Sequence, residues 1–353
     1  MRPPAAIVLL ALSESVLLAL PLLPAIDELL RKRDAKPLEV IQKHAGDITY
    51  FARGFRNYLG PLLESLRQCT ETRSNSWGRL KNGEECVLLG DDRQSFMRAA
   101  NLHGPVCEWL VAAGINVAFP NGLNFAKEVY AAKSLLSGKR NVFRAVFGDE
   151  DVHLGEGSET MRWAHAGGQF RADSGCSLYG RVSSDREILL APDCRFQRLH
   201  APRIVLGHLS KNRSANSAET QRDRPLARRL IDGDFHIHAG EVISDNLVAR
   251  GTLHIGPGAR MVGSVKGHGS VVLEERVVVS GSLISSGELR IGRACRIGGP
   301  ILAERRIEIS SQTVCGMPDM PTTVSSPIVH ATEGSLFHGT LWARETGRVV
   351  AQQ

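Results

Sequence analysis

Residues 247–317 have the sequence LVARGTLHIGPGARMVGSVKGHGSVVLEERVVVSGSLISSGELRIGRACRIGGPILAERRIEISSQTVCGM, and this stretch decides the fold. Every sixth residue from Leu247 is apolar or a cysteine until Thr313 ends the series. The members are Leu247, Leu253, Ala259, Val265, Val271, Val277, Leu283, Leu289, Cys295, Ile301 and Ile307. The residues two positions later are again apolar or small, and alternate residues of a strand share a face. Each six-residue unit is therefore predicted to be a short strand with two inward side chains, followed by a bend.

Glycine marks the bends, because it occupies the fifth position of the unit six times, where a residue without a Cβ turns easily. Three units make eighteen residues, and the pairs Gly263-Ser264 and Gly281-Ser282 recur at that longer spacing. A β-solenoid with three sides has this repeat, with equivalent positions stacked about 4.8 Å apart. The sequence therefore predicts an all-β fold, a three-sided parallel β-helix with eighteen-residue coils. The competing fold, a β-sandwich, does not hold a six-residue phase over twelve units.

A weaker series with the same period begins at Val146 and ends at Cys194. It predicts a first part of the β-helix over residues 142–206. The segment 207–232 is polar and charged and breaks the phase, which predicts an insertion loop within one solenoid. Regular coils then resume over residues 233–317. Prolines end them, and residues 318–353 are predicted to be a C-terminal cap or tail.

The N-terminal residues 5–26 are strongly apolar and long enough to cross a membrane. We expect residues 1–26 to be a transmembrane signal anchor; a cleaved signal peptide and a surface-lying hairpin are the alternatives. Basic residues follow the apolar run at Arg31 to Arg33, whereas Arg2 alone precedes it, so the positive-inside rule places the solenoid in the cytoplasm. The expected location is the inner membrane, in a single pass, with residues 5–26 contacting lipid.

Residues 27–85 are predicted to be a helical stalk followed by a polar linker. Apolar residues at helical spacing lie between Ile48 and Leu59, and Gly60-Pro61 is expected to end that helix before a second short one. Residues 70–85 are polar, which predicts the linker. The mixed pattern of residues 86–141 fits an irregular N-terminal cap or the first coils, because the end of a solenoid has to be shielded.

Segments such as GTLHIGPGARMVGSV, VVVSGSLISSGELRIG and GPILAERRIEI resemble the bactofilins, a family of polymer-forming bacterial cytoskeletal proteins. The resemblance is clearest over residues 233–317. It implies a right-handed β-helix that self-associates into filaments without a nucleotide. It also implies a membrane-associated scaffold that localises envelope or polysaccharide machinery. This chain is longer than a typical member, and a hydrophobic segment precedes its solenoid.

Two other functions remain open. Hexapeptide acyltransferases also use six-residue units, wound left-handed, with a histidine base that would be His254 or His268 here. Their units favour a small residue or asparagine after the inward aliphatic residue, whereas this chain has residues such as His254, Arg260 and Lys266 in that position. We therefore expect that the protein is not an enzyme. A docking platform that never polymerises is the other alternative.

Cysteine and charge exclude some classes of site. The seven cysteines include no C-x-x-C pair, and several fall at inward positions, so we expect buried free thiols and a reducing compartment. The inward cysteines are Cys176, Cys194, Cys295 and Cys315. The net charge of +6 is modest, and we expect no nucleic-acid partner.

Histidine is the only other candidate for metal chemistry. His236 and His238 lie on one strand face, and His254 follows eighteen residues after His236. Imidazoles bind zinc, but no acidic or cysteine partner lies at ligand spacing. We find no motif for phosphate binding or hydrolysis. The sequence therefore predicts no catalytic residue, no cofactor and no metal.

The outward residues that follow the inward aliphatic residues form three ladders, one on each side of the solenoid. One ladder contains Val248, Lys266, Ile284 and Leu302, whereas the other two are mostly charged or mixed. Soluble proteins rarely leave such an apolar stripe open. We therefore expect Val248, Ile284 and Leu302 to form a lateral interface.

Overall fold

The structure, a computed structural model, describes residues 49–80, 82–207 and 226–352, together with Ser13, Glu14 and Leu20. It has two compact units, Met1–Asp47 and Ile48–Gln353. The predicted anchor at 1–26 and the first part of the predicted stalk lie almost wholly outside the described residues. Among the described helices, none is both long enough and apolar enough to cross a membrane.

The second unit is mostly a parallel β-solenoid of about 13 turns. The predicted class, a mainly β parallel solenoid, is therefore confirmed. Its coils form two stacks. The strands of the first stack are β1 (Asn75–Arg79), β2 (Glu85–Leu89), β3 (Val106–Cys107), β4 (Leu110–Ala113), β5 (Val117–Ala118), β6 (Asn124–Ala131), β7 (Leu135–Leu136), β8 (Val142–Gly148), β9 (Val152–Leu154), β10 (Glu159–Ala166), β11 (Gln169–Ala172), β12 (Ser177–Ser184), β13 (Glu187–Leu190) and β14 (Arg195–Leu206).

The second stack follows after residue 225. Its strands are β15 (Arg228–Ile231), β16 (Phe235–Ile237), β17 (Val242–Ile243), β18 (Asn246–Ala249), β19 (Leu253–Ile255), β20 (Arg260–Met261), β21 (Val265–Gly267), β22 (Val271–Leu273), β23 (Val278–Val279), β24 (Leu283–Ser285), β25 (Glu288–Ile291), β26 (Arg296–Ile297), β27 (Ile301–Ala303), β28 (Arg306–Ile309), β29 (Val314–Cys315), β30 (Thr322–Thr332) and β31 (Ser335–Val350).

The second stack has the predicted register. Leu253 pairs with Val271, Val271 with Leu289, and Leu289 with Ile307, each eighteen residues further along the chain. All four side chains are fully buried. Thr313, the polar residue at the end of the series, is also buried and donates a hydrogen bond to the carbonyl of Gly292 at 3.0 Å. The six-residue phase therefore identified the inward residues.

The first stack is less regular. Its strands β6, β8, β10 and β12 are seven or eight residues long, and β6, β10 and β12 each have a bulge of one extra residue relative to β8 or β14. As a result, Phe125 pairs with Phe143 eighteen residues later, whereas Val129 pairs with Val146 only seventeen residues later. The parallel pairing already begins at β2 and β4, ahead of the weaker six-residue series that starts at Val146.

The two stacks meet at their C-terminal ends. Strand β31 pairs in parallel with β30, the last strand before it, and antiparallel with β14 along nearly its whole length. Leu199 faces Leu341 and Ile204 faces Phe337 across this junction, and all four side chains are buried. The strands of the two stacks therefore run in opposite directions, and each stack covers the apolar end of the other.

This junction corrects the prediction of one solenoid interrupted by an insertion loop at 207–232. Strand β15 is already the first strand of the second stack, and it pairs with β18. Six strand spacings separate β31 from β15, which is about 29 Å. Gly207 and Arg228, on either side of the undescribed residues 208–225, therefore lie at opposite ends of the second stack. The segment connects two antiparallel stacks.

The N-terminal part of the second unit contains two helices, α1 (Tyr50–Thr72) and α2 (Phe96–Ala99). The prediction that Gly60-Pro61 ends the first helix is wrong, since α1 continues through both residues. A proline inside a helix costs about 3 kcal/mol, but buried apolar residues of α1 lie on both sides of it. The predicted linker at 70–85 contains the end of α1 and strand β1, which forms an antiparallel hairpin with β2.

Residues 86–141 form the first coils and also close the end of the first stack. Phe96 of α2 packs against Phe119 and Phe125, with ring centroids 4.8 and 5.8 Å away. Ala99 and Ala100 are buried beside it in the same core. The segment therefore contributes coils to the first stack, and its α2 covers the end of the core.

Candidate interaction face

One side of the solenoid continues through both stacks. Arg181 of β12 pairs with Arg198 of β14, and Arg198 pairs with Trp342 of β31 across the junction. Trp342 then pairs with Ser325 of β30, and Ser325 with Leu302 of β27. We call this side the helix side, because α1 lies on its first-stack part.

Helix α1 buries one apolar stripe on the helix side. The buried residues recur every three or four positions, as one face of a helix requires; they are Ala52, Phe55, Leu59, Leu62, Leu66 and Cys69. They pack against outward side chains of the first stack, including Leu88, Leu110, Tyr130 and Phe147. Near the N-terminal end of α1, the ring of Phe55 lies 5.4 Å from that of Trp163. The helix therefore runs along the stack from β1 and β2 to β10.

Acidic residues flank α1, and the helix presents basic groups to some of them. Arg56 forms an ion pair with Asp149 at 3.3 Å, and Tyr130 donates a hydrogen bond to the same carboxylate at 2.7 Å. Burial raises the pKa of Tyr130, so its hydroxyl stays protonated and remains a donor. Tyr58 of α1 donates to Glu84 at 3.1 Å. Charge complementarity thus accompanies the apolar contact.

His165 lies in the same sheet face, next to Ser183. Its Nδ1 is 2.8 Å from Ser183 Oγ, and its Nε2 is 3.8 Å from the carboxylate of Asp185. These residue types occur in hydrolytic triads, but the side chains of His165 and Ser183 are almost completely buried. Burial also lowers the pKa of His165. In this arrangement the hydroxyl has no access to a substrate, and the pair connects adjacent strands.

The helix side continues beyond α1 as a strip of outward residues, which we call the lateral strip. It consists of Arg181, Arg198, Trp342, Ser325, Leu302, Ile284, Lys266, Val248 and Leu230. The predicted interface residues Val248, Ile284 and Leu302 belong to it, and the structure confirms their register. Their exposure differs: Leu302 is 39% exposed, Ile284 is half-buried and Val248 is only 8% exposed.

Every charged residue of the lateral strip is basic. The guanidinium of Arg181 lies over the ring of Phe51 at 4.5 Å, and that of Arg198 lies over the ring of Trp342 at 4.9 Å. The Nε of Arg198 is buried and has no hydrogen-bond partner among the described residues. Burial and the charge of Arg181 lower the pKa of Arg198. An anionic group placed here would relieve both effects.

The candidate histidines come together on a different side, at the first coils of the second stack. His236 stacks on His254 with ring centroids 4.8 Å apart and contacts His238 at 5.4 Å. His254 Nε2 lies 3.1 Å from Glu274. Within the described residues, no group of three ligand-type side chains has a geometry that could hold a metal ion.

The inward cysteines are buried free thiols, as expected. Cys176 and Cys194 lie in adjacent coils, and their thiols donate hydrogen bonds to the carbonyls of Gly155 at 3.3 Å and Asp173 at 3.1 Å. Burial raises the pKa of Cys295 to about 11 and that of Cys315 further. A thiol with a raised pKa is a poor nucleophile. These cysteines act as small core residues.

Two tryptophans that the sequence analysis did not single out line a cavity of about 410 Å³ at the α2 end of the first stack. The rings of Trp77 and Trp109 are 5.3 Å apart and nearly perpendicular. Arg79 and Glu85, an ion pair with a 2.9 Å contact, line the same cavity. Its volume is in the range of small-molecule sites. The isolated tryptophans in the sequence carry no spacing signal that would have predicted it.

Comparison of the chain with protein-family models, with curated proteins and with solved structures finds no match.

Proposed function

We propose that this chain is a bactofilin-like scaffold that acts as a docking platform at a membrane and does not polymerise through its coil ends. The observation that carries the proposal is the junction between β14 and β31. A filament of stacked solenoids needs two free ends on every subunit. The junction uses the C-terminal ends of both stacks within one chain, and the core residues of α2 close a third end.

At the first end of the first stack, β3 and β5 lack a second strand partner, but α2 closes the core there. The β15 end of the second stack has neither a strand nor a helix over it among the described residues. Strands β15, β16 and β17 pair with β18, β19 and β20, and their outer edges have no strand partner in the described part of the chain. Leu230 and Val242 are more than half exposed there. Association through this end alone would produce a closed pair related by a twofold axis.

The same end has features that oppose stacking. Arg229 pairs with Leu247, whose side chain points into the core, so Arg229 is a charged residue at an inward position. Its guanidinium lies 5.4 Å from the ring centroid of Phe235. Natural sheet edges that avoid pairing carry inward-pointing charges and short strands. Here β15, β16 and β17 have four, three and two residues. These features favour a platform of finite length.

The test is the mass and shape of the full chain over a wide range of concentration. Light scattering after size-exclusion chromatography should give one or two copies, and negative-stain microscopy should show particles of finite length. If pairs form, Leu230→Asp with Val242→Asp should convert them to single copies. Leu136→Asp, which changes an exposed residue of the first stack, is the matched control and should change nothing. Filaments of the unmodified chain would overturn the proposal.

Membrane attachment, right-handed winding and a role in localising envelope machinery are parts of the proposal that rest on the sequence. Deletion of residues 1–26 should move the protein from the membrane fraction to the soluble fraction. A reporter enzyme that is active only in the cytoplasm should be active when it is fused after Gln353. Activity of a reporter that works only in the periplasm would contradict the proposed orientation. An experimental density map would determine the handedness.

A further inference from the structure

Helix α1 shows how the helix side of this solenoid binds a helix. Its apolar stripe packs on outward residues of the first stack. Its N-terminal turn lies beside Arg181, because the ring of Phe51 contacts that guanidinium. The lateral strip begins at the same residue and continues with the same strand register. The uncovered part of the helix side is thus continuous with an established helix-binding surface.

The length of the uncovered part matches a helix. From β14 to β15 the strip crosses seven strand spacings, which is about 34 Å. A helix with the 23 residues of α1 is about 35 Å long at 1.5 Å per residue. A single straight helix of that size would therefore reach from Arg198 to Leu230.

The apolar part of the strip is accessible. Trp342 is 38% exposed, Leu302 39% and Leu230 52%. Between Leu302 and Leu230 lies a shallow cavity of about 120 Å³, lined by Val248 and Ile284 among others. An amphipathic helix binds in a groove through several apolar anchor residues along one line. The strip offers apolar contacts at several points along such a line.

The charged residues of the strip are all basic, whereas α1 contacts carboxylates. Acidic groups at Glu84 and Asp149 flank α1. Along the lateral strip the charged residues are Arg181, Arg198 and Lys266, and Arg228 lies in the adjoining column. For Arg198, Lys266 and Arg228 the described residues provide no carboxylate within ion-pair distance.

We infer that the lateral strip is the docking site of an amphipathic helix with acidic flanks, contributed by a partner protein. The inference rests on the proposed docking function and specifies its partner. The apolar stripe of that helix covers Trp342, Leu302 and Ile284. Its carboxylates pair with the basic residues of the strip, Arg198 and Lys266.

Charge disfavours two other occupants. A second copy of this chain would place one basic strip against another, and like charges in contact repel. Residues 27–48 of the chain itself have no net charge, with five acidic and five basic residues. These are Asp27, Glu28, Asp34, Glu39 and Asp47 against Arg31, Lys32, Arg33, Lys36 and Lys43.

Two synthetic peptides test the inference on the full chain. Both keep the apolar pattern of Tyr50–Thr72. The acidic peptide carries Arg53→Glu, Arg56→Glu and Arg67→Glu, and the basic peptide carries Glu64→Lys and Glu71→Lys. Fluorescence anisotropy of labelled peptides should give at least tenfold tighter binding of the acidic peptide, with an affinity that falls as salt rises. Equal binding of both peptides, or binding of neither, would overturn the inference.

Charge reversal locates the site. Lys266→Glu with Arg228→Glu should weaken the acidic peptide at least tenfold and strengthen the basic one. The control, Arg260→Glu with Arg293→Glu, changes two exposed arginines away from the helix side and should alter affinity by less than twofold. Circular dichroism confirms that each variant is folded. If the control weakens binding as much as the strip variant, the peptide binds elsewhere and the inference fails.

A photo-crosslinking residue at Leu302, or at Trp342 if the first variant folds poorly, identifies the occupant. The full chain alone should give no crosslink, and addition of the acidic peptide should give a crosslink to it. A crosslink within the chain, or to a second copy, would show that this protein covers its own strip and would overturn the inference. Filaments together with peptide binding would contradict only the proposed function. Finite particles without peptide binding would contradict only this inference.

Discussion

The first and second stacks are built from the same coil but differ in what covers their helix side. In the first stack, α1 covers that side and the core is rich in aromatic residues, with Phe125, Phe143 and Phe170 fully buried. In the second stack, the core is mostly aliphatic and the helix side carries Trp342, Leu302 and Ile284. Similar stacked coils thus support one closed surface and one open surface.

The difference also explains why the repeat is clear in only one stack. A covered side has outward residues that pack against a helix, so they become apolar too, and the contrast between inward and outward positions fades. Tyr130 and Phe147 are outward residues of this kind. An open side keeps polar residues such as Lys266 between its apolar ones. The contrast in polarity between inward and outward positions is therefore strongest in coils whose outer surface is exposed to solvent.

The largest effect should come from a charge in the core of the second stack. Leu289→Lys buries an ammonium group between Val271 and Ile307, and we expect a loss of more than about 5 kcal/mol. The first stack has its own core and α1, so thermal unfolding followed by circular dichroism should separate into two steps. The control, Arg290→Lys at the next, exposed position, should melt like the parent. A single unchanged transition for Leu289→Lys would show that the inward assignment is wrong.

The covered side of the first stack should depend on α1. Leu62→Ala removes a buried side chain between α1 and the sheet, which we expect to cost about 2–5 kcal/mol. Hydrogen exchange of the α1 amides should accelerate, whereas exchange in β21 and β24 should not change. Leu63→Ala, at a position that is only partly buried, is the control and should have a smaller effect. Equal protection of α1 in both variants would contradict the role assigned to the apolar stripe.

The junction should be sensitive to one added methyl group. A Cβ at Gly347 would lie 2.2 Å from the ring of Phe196, which faces it across the junction. We expect Gly347→Ala to cost about 1–3 kcal/mol and to uncouple the melting of the two stacks, measured by calorimetry. Phe196→Leu in the same chain should restore part of the loss. As control, Gly54→Ala in α1 meets no atom within 4 Å and should stabilise the protein slightly. Independent, additive effects of the Gly347 and Phe196 changes would argue against their contact.

Acidification should weaken the junction. Burial, with the charge of Arg198, lowers the pKa of His200, while Asp185 acts in the opposite direction. His200 is therefore neutral in the folded state, whereas the unfolded chain takes up a proton near pH 6.5. The stability is present above that pH and is lost as the pH falls from about 6.5 through the lower pKa of the folded state, by at most about 1.4 kcal/mol per pH unit.

The measurement is chemical denaturation between pH 7.5 and 5. His200→Gln can still hydrogen-bond to Thr340, which lies 2.9 Å from His200 Nδ1, and it should flatten the dependence on pH. His254→Gln, at a half-exposed position in the second stack, is the control. A slope for His200→Gln that equals that of the unmodified chain would exclude His200 as its source.

The smallest effect on stability is expected on the open side of the second stack. Ile284→Lys with Leu302→Lys places two charges at outward positions, where they can remain hydrated, so the melting temperature should change little. Surface substitutions of this kind usually change the stability by less than about 0.5 kcal/mol. Loss of the fold in circular dichroism would mean that the helix side of the second stack is covered as tightly as that of the first.

The second stack could be predicted from the sequence almost residue by residue. From β15 to β29 its strands have two to four residues, and the coils repeat at eighteen. The first stack was predicted only in part, because its bulges change the spacing from eighteen to seventeen, as between Val129 and Val146. The sequence predicts that α1 ends at Pro61, because proline disfavours a helix locally. The buried contacts on both sides of Pro61 keep the helix continuous. In each case the deviation is produced by packing that a local pattern does not contain.

The six-residue pattern could not predict the junction, or which residues form the lateral strip, for a different reason. A period has no direction, so it is the same for strands that run up or down the solenoid axis. The contact between His200 and Thr340 joins residues 140 positions apart. The ladder of Val248, Ile284 and Leu302 was predictable, but its extension to Trp342 and Arg198 requires the junction.

The order of synthesis gives the junction one more consequence. Strand β14 ends at residue 206 and its partner β31 begins at residue 335. The 128 residues between them take roughly 6–26 s to translate at about 5–20 residues per second. During that time the first stack has no partner for its last strand, and an open strand edge can pair with other chains. A chain truncated shortly before Ser335 therefore has two further unprotected edges, one at the C-terminal end of each stack, in addition to the edge at β15.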